Sequence, residues 1–145
     1  IYISKHLAYY IDMEPTTSRQ TKYCNAIKTT LQVLGHASNA ELLAQLRADY
    51  PNLSATTVHR ATARLAERGE IAVAPPDNQG AMRYDAVVTP HDHFACNSCN
   101  LLRNTDIVNT VIPTLEAQLE GCQISGRLVI YGTCHACTTK KGGNL

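Results

Sequence analysis

The chain has 145 residues, with 13 Lys and Arg against 12 Asp and Glu and a formal net charge of +1, so it carries no global electrostatic signature of nucleic-acid binding. An apolar fraction of 44%, one Phe and no Trp predict one globular domain or two small ones with an aliphatic, tyrosine-bearing core. No apolar run approaches the ~20 residues of a membrane span and no signal-peptide pattern is present, so the expectation is a cytoplasmic protein without a membrane partner.

The first dozen residues are rich in tyrosine and precede Met13; they read either as an extra helix or as lying outside the natural start. Residues 16–34 follow with Ile27, Leu31 and Leu34 on one helical face. Gly35, His36, Ala37 and Ser38 break this helix. Asn39 is then expected to cap a second, whose face is Leu42, Leu43 and Leu46 and which ends near Tyr50. Pro51 and Asn52 enforce a turn. Ser54 has the character of the N-cap of a third helix running to Arg68, and Gly69 stands where a left-handed residue ends it. Beyond Gly69 the period changes. Ile71 and Val73 alternate with polar or small neighbours as in a strand, residues 75–80 form a turn, and residues 82–88 return as a strand. Three helices and a β-hairpin are the pattern of a winged helix-turn-helix domain.

The third helix carries the charge argument. Arg60, Arg64 and Arg68 recur every four residues and form a stripe, while Val58, Ala61 and Leu65 lie on another face and are expected to pack on the first two helices. Such a helix presents arginines to phosphates and base edges, and Ser54, Thr56 and Thr57 at its start can donate to a phosphate at the positive end of the helix dipole. A solvated basic helix without a partner is the competing reading; placement straight after a helix and a tight turn favours DNA.

The next region carries four cysteines in two Cys-x-x-Cys pairs, Cys96 with Cys99 and Cys134 with Cys137. Two such knuckles supply a tetrahedral sulfur set, which a structural zinc ion accepts at about 2.3 Å per bond. Two disulfides in a secreted domain are the alternative, disfavoured by the compartment. His91 and His93 stand just before the first pair, alternate in an extended stretch and so point to one side, which hints at a second, more exchangeable metal site. Residues 94–96 read as a short strand, 101–108 are ambiguous, 113–119 form a short helix with Pro113 in its first turn, and 123–131 deliver the second knuckle as a strand. The fold class is α+β: a winged helix-turn-helix domain over residues 1–88, with 1–14 an uncertain extension, then a small α/β module over 89–145. Its polar tail, 138–145, is expected to be disordered.

Three segments together resemble the ferric uptake regulator family of bacterial metal-responsive repressors: residues 91–99 (HDHFACNSC), 130–137 (IYGTCHAC) and 54–60 (SATTVHR). The resemblance covers roughly residues 17–137. It implies an N-terminal DNA-binding domain, a C-terminal dimerisation domain, a structural zinc on Cys96, Cys99, Cys134 and Cys137, and a regulatory metal at the hinge. Its ligands carry over as His36, Asp85, His91 and His93, a nitrogen and carboxylate set that suits iron, manganese, nickel or zinc. Because they come from both domains and the linker, a bound ion would fix the angle between the DNA-binding heads of a homodimer.

The chain also departs from the family pattern. Peroxide-sensing members place an aspartate where this chain has Asn104, with Asp106 two residues on. The stretches that build a third metal site in iron-sensing members hold Val111 and Gly126 here. His59 replaces the family's tyrosine before Arg60, which leaves the arginine but alters base preference. Cys24 and Cys122 have no family role and read as buried apolar thiols. The expected function is a homodimeric, metal-dependent repressor of metal-homeostasis or peroxide-stress genes, bound to double-stranded operator DNA and using no small organic substrate. A regulator specific for zinc or nickel, or a cysteine and zinc redox switch that does not bind DNA, is the alternative. A zinc deaminase is disfavoured because four cysteines close the site and no catalytic Glu adjoins His91 or His93.

Overall fold

A computed structural model describes residues 19–141, so expectations for residues 1–18 and 142–145 lie outside it. The order is α1 (Arg19–Leu34), β1 (His36–Ser38), α2 (Asn39–Leu46), α3 (Ala55–Glu67), β2 (Ala72–Ala74) and β3 (Arg83–Asp85). Then come β4 (Asp92–Cys96), β5 (Leu102–Thr105), α4 (Val108–Gln118), β6 (Val129–Gly132) and α5 (His135–Lys141). The fold is α+β. Three helices and the antiparallel sheet β1-β3-β2 make a winged helix; the sheet β5-β4-β6, antiparallel on one side and parallel on the other, follows with α4 and α5.

The first unit is organised by its helix ends. At the end of α1 the Gly35 N–H bonds Leu31 O at 2.7 Å with φ at +77°, a left-handed cap that turns the chain straight into β1. Gly69 closes α3 in the same way, with φ at +69° and two bonds running back, Gly69 N–H to Ala66 O and Glu70 N–H to Leu65 O. The cap of α2 is Ser38 rather than Asn39. Ser38 Oγ accepts the Glu41 N–H and Glu41 Oε2 accepts the Ser38 N–H, a reciprocal box. The segment expected as a simple break is therefore a strand plus a cap. Ser54 caps α3 as expected, its Oγ accepting the Thr57 N–H at 3.1 Å.

Ile27, Leu31, Leu42, Leu46, Val58, Ala61 and Leu65 are buried together with Cys24, Leu53, Ile71 and Tyr84. Each large aliphatic side chain removed from water contributes about 1.5–3 kcal/mol. Leu34, expected on this face, is exposed, and Cys24 completes the stripe with Ile27 and Leu31 instead. In the hairpin Ile71 and Ala74 are buried while Val73 is 60% exposed; the returning strand is only three residues long and leaves Met82, Val87 and Val88 exposed.

In the second unit, the ambiguous residues 101–108 divide into β5 and the start of α4. That helix begins at Val108, so Pro113 lies inside it rather than in its first turn. The strand reaching the second knuckle is confined to β6, and residues 138–141, expected in a disordered tail, continue α5. Cys122, expected buried, is exposed; Cys24 is buried. No helix among the described residues is long and apolar enough to cross a membrane.

Candidate metal centres and nucleic-acid interface

The two Cys-x-x-Cys knuckles are brought together by the parallel pairing of β4 and β6, which ends with Cys96 opposite Gly132 and is extended by Asn97 N–H to Gly132 O at 2.8 Å. One knuckle leaves β4 and the other links β6 to α5. The four Sγ atoms of Cys96, Cys99, Cys134 and Cys137 lie within 4.8 Å of one another. Cys99 Sγ and Cys134 Sγ are 3.7 Å apart, far beyond a disulfide bond and close to the roughly 3.8 Å edge of a sulfur tetrahedron with ~2.3 Å bonds. Backbone amides serve the sulfurs: Cys96 Sγ accepts the N–H of Cys134 at 3.3 Å and of Ser98 at 3.4 Å. The Cys134 N–H is the main reason the Cys96 thiol is pulled down to about 6, against the opposing effect of burial. Hydrogen bonding to Cys134, then to Cys99, pushes Cys137 up to about 12. So closely spaced a set resists carrying four negative charges unaided, and a dication is the species that offsets them. Four soft ligands with no open position fit a structural zinc ion.

The second cluster is built around one oxygen. Asp85 ends β3, directly opposite His36 in the β1–β3 register, and is buried. Its Oδ2 lies 3.0 Å from His36 Nε2, 2.8 Å from His91 Nε2 and 3.2 Å from His93 Nε2. The Nε2 atoms of His91 and His93 are 3.1 Å apart. The other carboxylate oxygen, Oδ1, accepts the Val87 N–H at 2.7 Å, which fixes the plane of the group. His91 Nδ1 donates to Thr89 O at 2.7 Å, leaving its Nε2 lone pair for the cluster. Burial raises the Asp85 pKa, but the Val87 N–H and the neighbouring histidines outweigh it and hold the carboxyl below its ordinary range. Burial keeps His93 below its ordinary value, against the pull of Asp85. An N and O tetrahedron with bonds of about 2.1 Å has edges of roughly 3.4 Å, so these four atoms need move only slightly to surround a divalent ion. The donor set fits iron, manganese, nickel or zinc alike. Two such groups of His, Cys, Asp or Glu occur among the described residues.

Asp106 is not drawn into this cluster: its side chain is 72% exposed and its Oδ1 accepts from Arg127 Nη1 at 3.3 Å. Asn104 faces His93 across β4 and β5. Asp92, between the two histidines, points to the opposite face and had no motif to announce it; the same alternation that aligns the histidines was the available signal. Fully buried, it accepts the N–H groups of Ile107 and Val108 with Oδ2, both at 2.8 Å, and of Leu128 with Oδ1 at 2.9 Å. Thus it joins β4, the start of α4 and the approach to β6, and holds His91 and His93 in register.

On α3, Val58, Ala61, Thr62 and Leu65 face the core, and Thr56, His59 and Arg60 are exposed. Ser54 Oγ is committed to the cap and to Thr57 Oγ1 at 2.9 Å. The arginine stripe runs along the edge next to α1. Arg60 lines a cavity of about 340 Å³ with Tyr23, Asn52 and Thr57; half-buried Arg64 lines another of about 240 Å³ with Arg68, Thr21 and Asn25. Asn39, at the start of α2, contacts His59 Nδ1 through Nδ2 at 3.2 Å and accepts from Thr62 Oγ1 at 2.9 Å, so α2 orients an exposed side chain of α3.

The sequence pattern of the ferric uptake regulator family matches residues 15–124. The chain belongs to that family. The family's members are metal-responsive transcription regulators rather than enzymes, and this chain is one of them. It is 26% identical over 110 residues to the peroxide operon regulator of Bacillus subtilis (strain 168), covering 74% of this chain and 75% of that one. Among solved structures it resembles the ferric uptake regulator from Francisella tularensis with iron, at 23% identity and a TM-score of 0.63 over 81% of this chain and 92% of that one. The Helicobacter pylori ferric uptake regulator, with three functional metal-binding sites, superposes with a TM-score of 0.65 at 21% identity over 81% of this chain and 80% of that one. The Campylobacter jejuni peroxide stress regulator gives 0.64 at 21% identity over 83% of this chain and 93% of that one. These likenesses establish the fold.

Proposed function

We propose that this regulator is a homodimeric repressor whose grip on double-stranded operator DNA depends on a divalent ion held by His36, Asp85, His91 and His93. The observation that carries the reading is the origin of those four ligands. His36 and Asp85 belong to the winged helix, His93 lies in the following sheet, and His91 sits at the end of the segment between them, yet their ligating atoms lie within 4.8 Å of one another. Occupancy of such a site ties the two units into one arrangement, and ligand binding at one place then biases DNA binding at another.

The division of labour follows. The DNA-binding half runs to residue 88, with α3 as the recognition helix. Thr56, His59 and Arg60 are its base- and phosphate-facing side chains, with Ser54 and Thr57 at its positive end and Arg64 at its edge. Residues 89–145 form the dimerisation half, in which the four cysteines hold zinc as a closed structural centre. Val129, Ile130 and Tyr131 in β6 are exposed, Tyr131 to 59%, and supply an apolar face for a second copy of the chain. A structure of similar fold is a zinc uptake regulator complexed with zinc and DNA, which supports the DNA reading.

A peroxide signal acting on the hinge metal is the second reading, favoured by the likeness to the Bacillus subtilis peroxide operon regulator. The ligand set supplies one carboxylate, and Asp106 is engaged with Arg127, so iron or manganese sensing without a second carboxylate ranks first. The test is enrichment of duplexes from a random DNA pool with metal-loaded protein, followed by gel-shift titration of the winning sequence with and without divalent metal. Metal should tighten binding at least about tenfold, within the usual range of allosteric coupling. Equal affinity in both conditions removes the metal-dependent reading.

A further inference from the structure

The tip of the wing does not hang free. Asn78, in the turn between β2 and β3, donates from Nδ2 to Asn97 O at 2.8 Å and to Cys96 O at 3.3 Å, and its N–H donates to Asn100 Oδ1 at 2.7 Å. All three acceptors belong to the 96–100 knuckle. Arg83, where β3 leaves the same turn, is buried, and its guanidinium donates to Pro75 O at 2.8 Å, Pro76 O at 2.9 Å and Asn100 O at 2.7 Å. Asn100 thus accepts from both wing residues, and it does so with φ at +64°, a left-handed conformation that Asn tolerates better than most residues. Beneath these bonds Ala74 of β2 packs with Ala95 of β4 and Leu102 of β5.

The charges fit this contact. Arg83 is a buried cation satisfied by carbonyl oxygens, with no ion pair among the described residues. A buried guanidinium is costly unless something nearby compensates it. Four thiolates around one Zn²⁺ carry a net charge of about −2, and Asn100, which Arg83 grips, follows Cys99 directly. Loading the cysteines would therefore do two things for the wing: fix the carbonyls of Cys96 and Asn97 that Asn78 reads, and place an anionic centre on the knuckle that ends at Asn100, the residue Arg83 grips.

We propose that the 96–100 knuckle is the receptor for the wing, with Asn78, Arg83 and Asn100 as positioning residues that couple the cysteine-bound zinc to the DNA-binding unit. The consequence for operator affinity rests on the function proposed above; the coupling itself does not. Because coupling is reciprocal, a wing held by the zinc knuckle also holds the zinc.

The experiment uses the full zinc-loaded chain and two variants, Asn78→Ala and Asn100→Gly. The first truncates an exposed side chain, and the second keeps the left-handed backbone while removing the Asn78 acceptor. The readouts are the rate of zinc transfer to a colorimetric chelator and hydrogen exchange of the amides of residues 75–82, with those of α3 as a control for folding. Each variant should speed zinc transfer about fivefold, the effect of losing roughly one hydrogen bond, and raise exchange in the wing while α3 keeps wild-type protection. Wild-type zinc transfer in both variants, whether or not the wing loosens, overturns the proposal. Neither readout needs DNA, so this failure is distinguishable from a failure of the repressor reading.

Discussion

His36 Nε2 and Asp85 Oδ2 lie 3.0 Å apart because their residues face each other directly across β1 and β3. Half of the proposed metal site is thereby preformed inside the winged helix, before the chain reaches His91. The pair depends on a three-residue strand that exists because Gly35 ends α1 in a left-handed turn. A ligand held this rigidly contributes affinity with little ordering cost. His36→Ala should weaken binding of the exchangeable metal at least about tenfold, given the penalties typical even of groups that merely support a metal ligand. Zinc held by the cysteines should remain at one per chain. Metal titration followed by elemental analysis after mild chelation separates the two; an unchanged exchangeable site removes His36 from the ligand set.

The cysteine cluster is expected to be a condition of folding for the second unit. β4 and β6 are joined at their ends by the knuckles, and the buried apolar residues around them are few: Ala95 and Leu102 with Ala74 of the wing, and Val108 at the head of α4. So small a core cannot offset the entropy of ordering the unit without the metal. Cys96→Ser should abolish stoichiometric zinc and melt the β5-β4-β6 sheet while the core around Leu31 and Leu65 stays protected, since structural zinc sites contribute folding energy directly. Hydrogen exchange resolved by segment reads both outcomes. Full protection of β4 in zinc-free protein contradicts the expectation.

Local chemistry explains what could be read in the sequence. The two Cys-x-x-Cys spacings and the His-x-His alternation are short-range codes, and so is Ser54 as the cap of α3. Strand β1 was hidden because three residues between two helices carry no periodicity; its partner β3 is more than forty residues away, and only tertiary pairing makes it a strand. Leu34 looked like core because its spacing from Leu31 fits the apolar face; the break at Gly35 was legible, but not that the last residue of α1 is left with nothing to cover it. Pro113 suggested a helix start by propensity, but α4 is anchored five residues earlier, where Asp92 accepts the Ile107 and Val108 amides. That anchor is long-range and leaves no trace in the sequence around Pro113.

The arginines of α3 should separate by role. Arg60 is exposed beside Thr57 and Asn52, whereas Arg64 is half-buried against α1 with Thr21 and Asn25. Arg60→Ala should weaken binding across all duplex sequences and reduce the slope of log affinity against log salt by about one, the mark of a lost phosphate contact. Arg64→Ala should lower thermal stability more than it changes that slope. Anisotropy titrations at several salt concentrations, with melting curves of the free proteins, test both. A salt slope changed by Arg64→Ala and not by Arg60→Ala reverses the assignment.

Asp92 has a pH signature distinct from that of the proposed metal ligands. Burial raises its pKa, but the amides of Leu128, Val108 and Ile107 and the charge of Arg127 outweigh it, so the folded value lies below the ordinary 3.8. A depressed carboxylate contributes stability that is fully present above its unfolded pKa and is lost as pH falls through the folded pKa. Asp92→Asn removes the charge and turns an amide donor toward amide donors. It should cost about 3 kcal/mol, as expected for buried hydrogen bonds to a charged acceptor. Because both pKa values lie near or below about 4, the gap between wild type and variant should be the same at pH 7 and pH 5 and begin to close only below that. Urea unfolding of the zinc-loaded proteins at the two pH values measures it. A gap that shrinks markedly between pH 7 and pH 5 would show that a histidine, not Asp92, carries the effect.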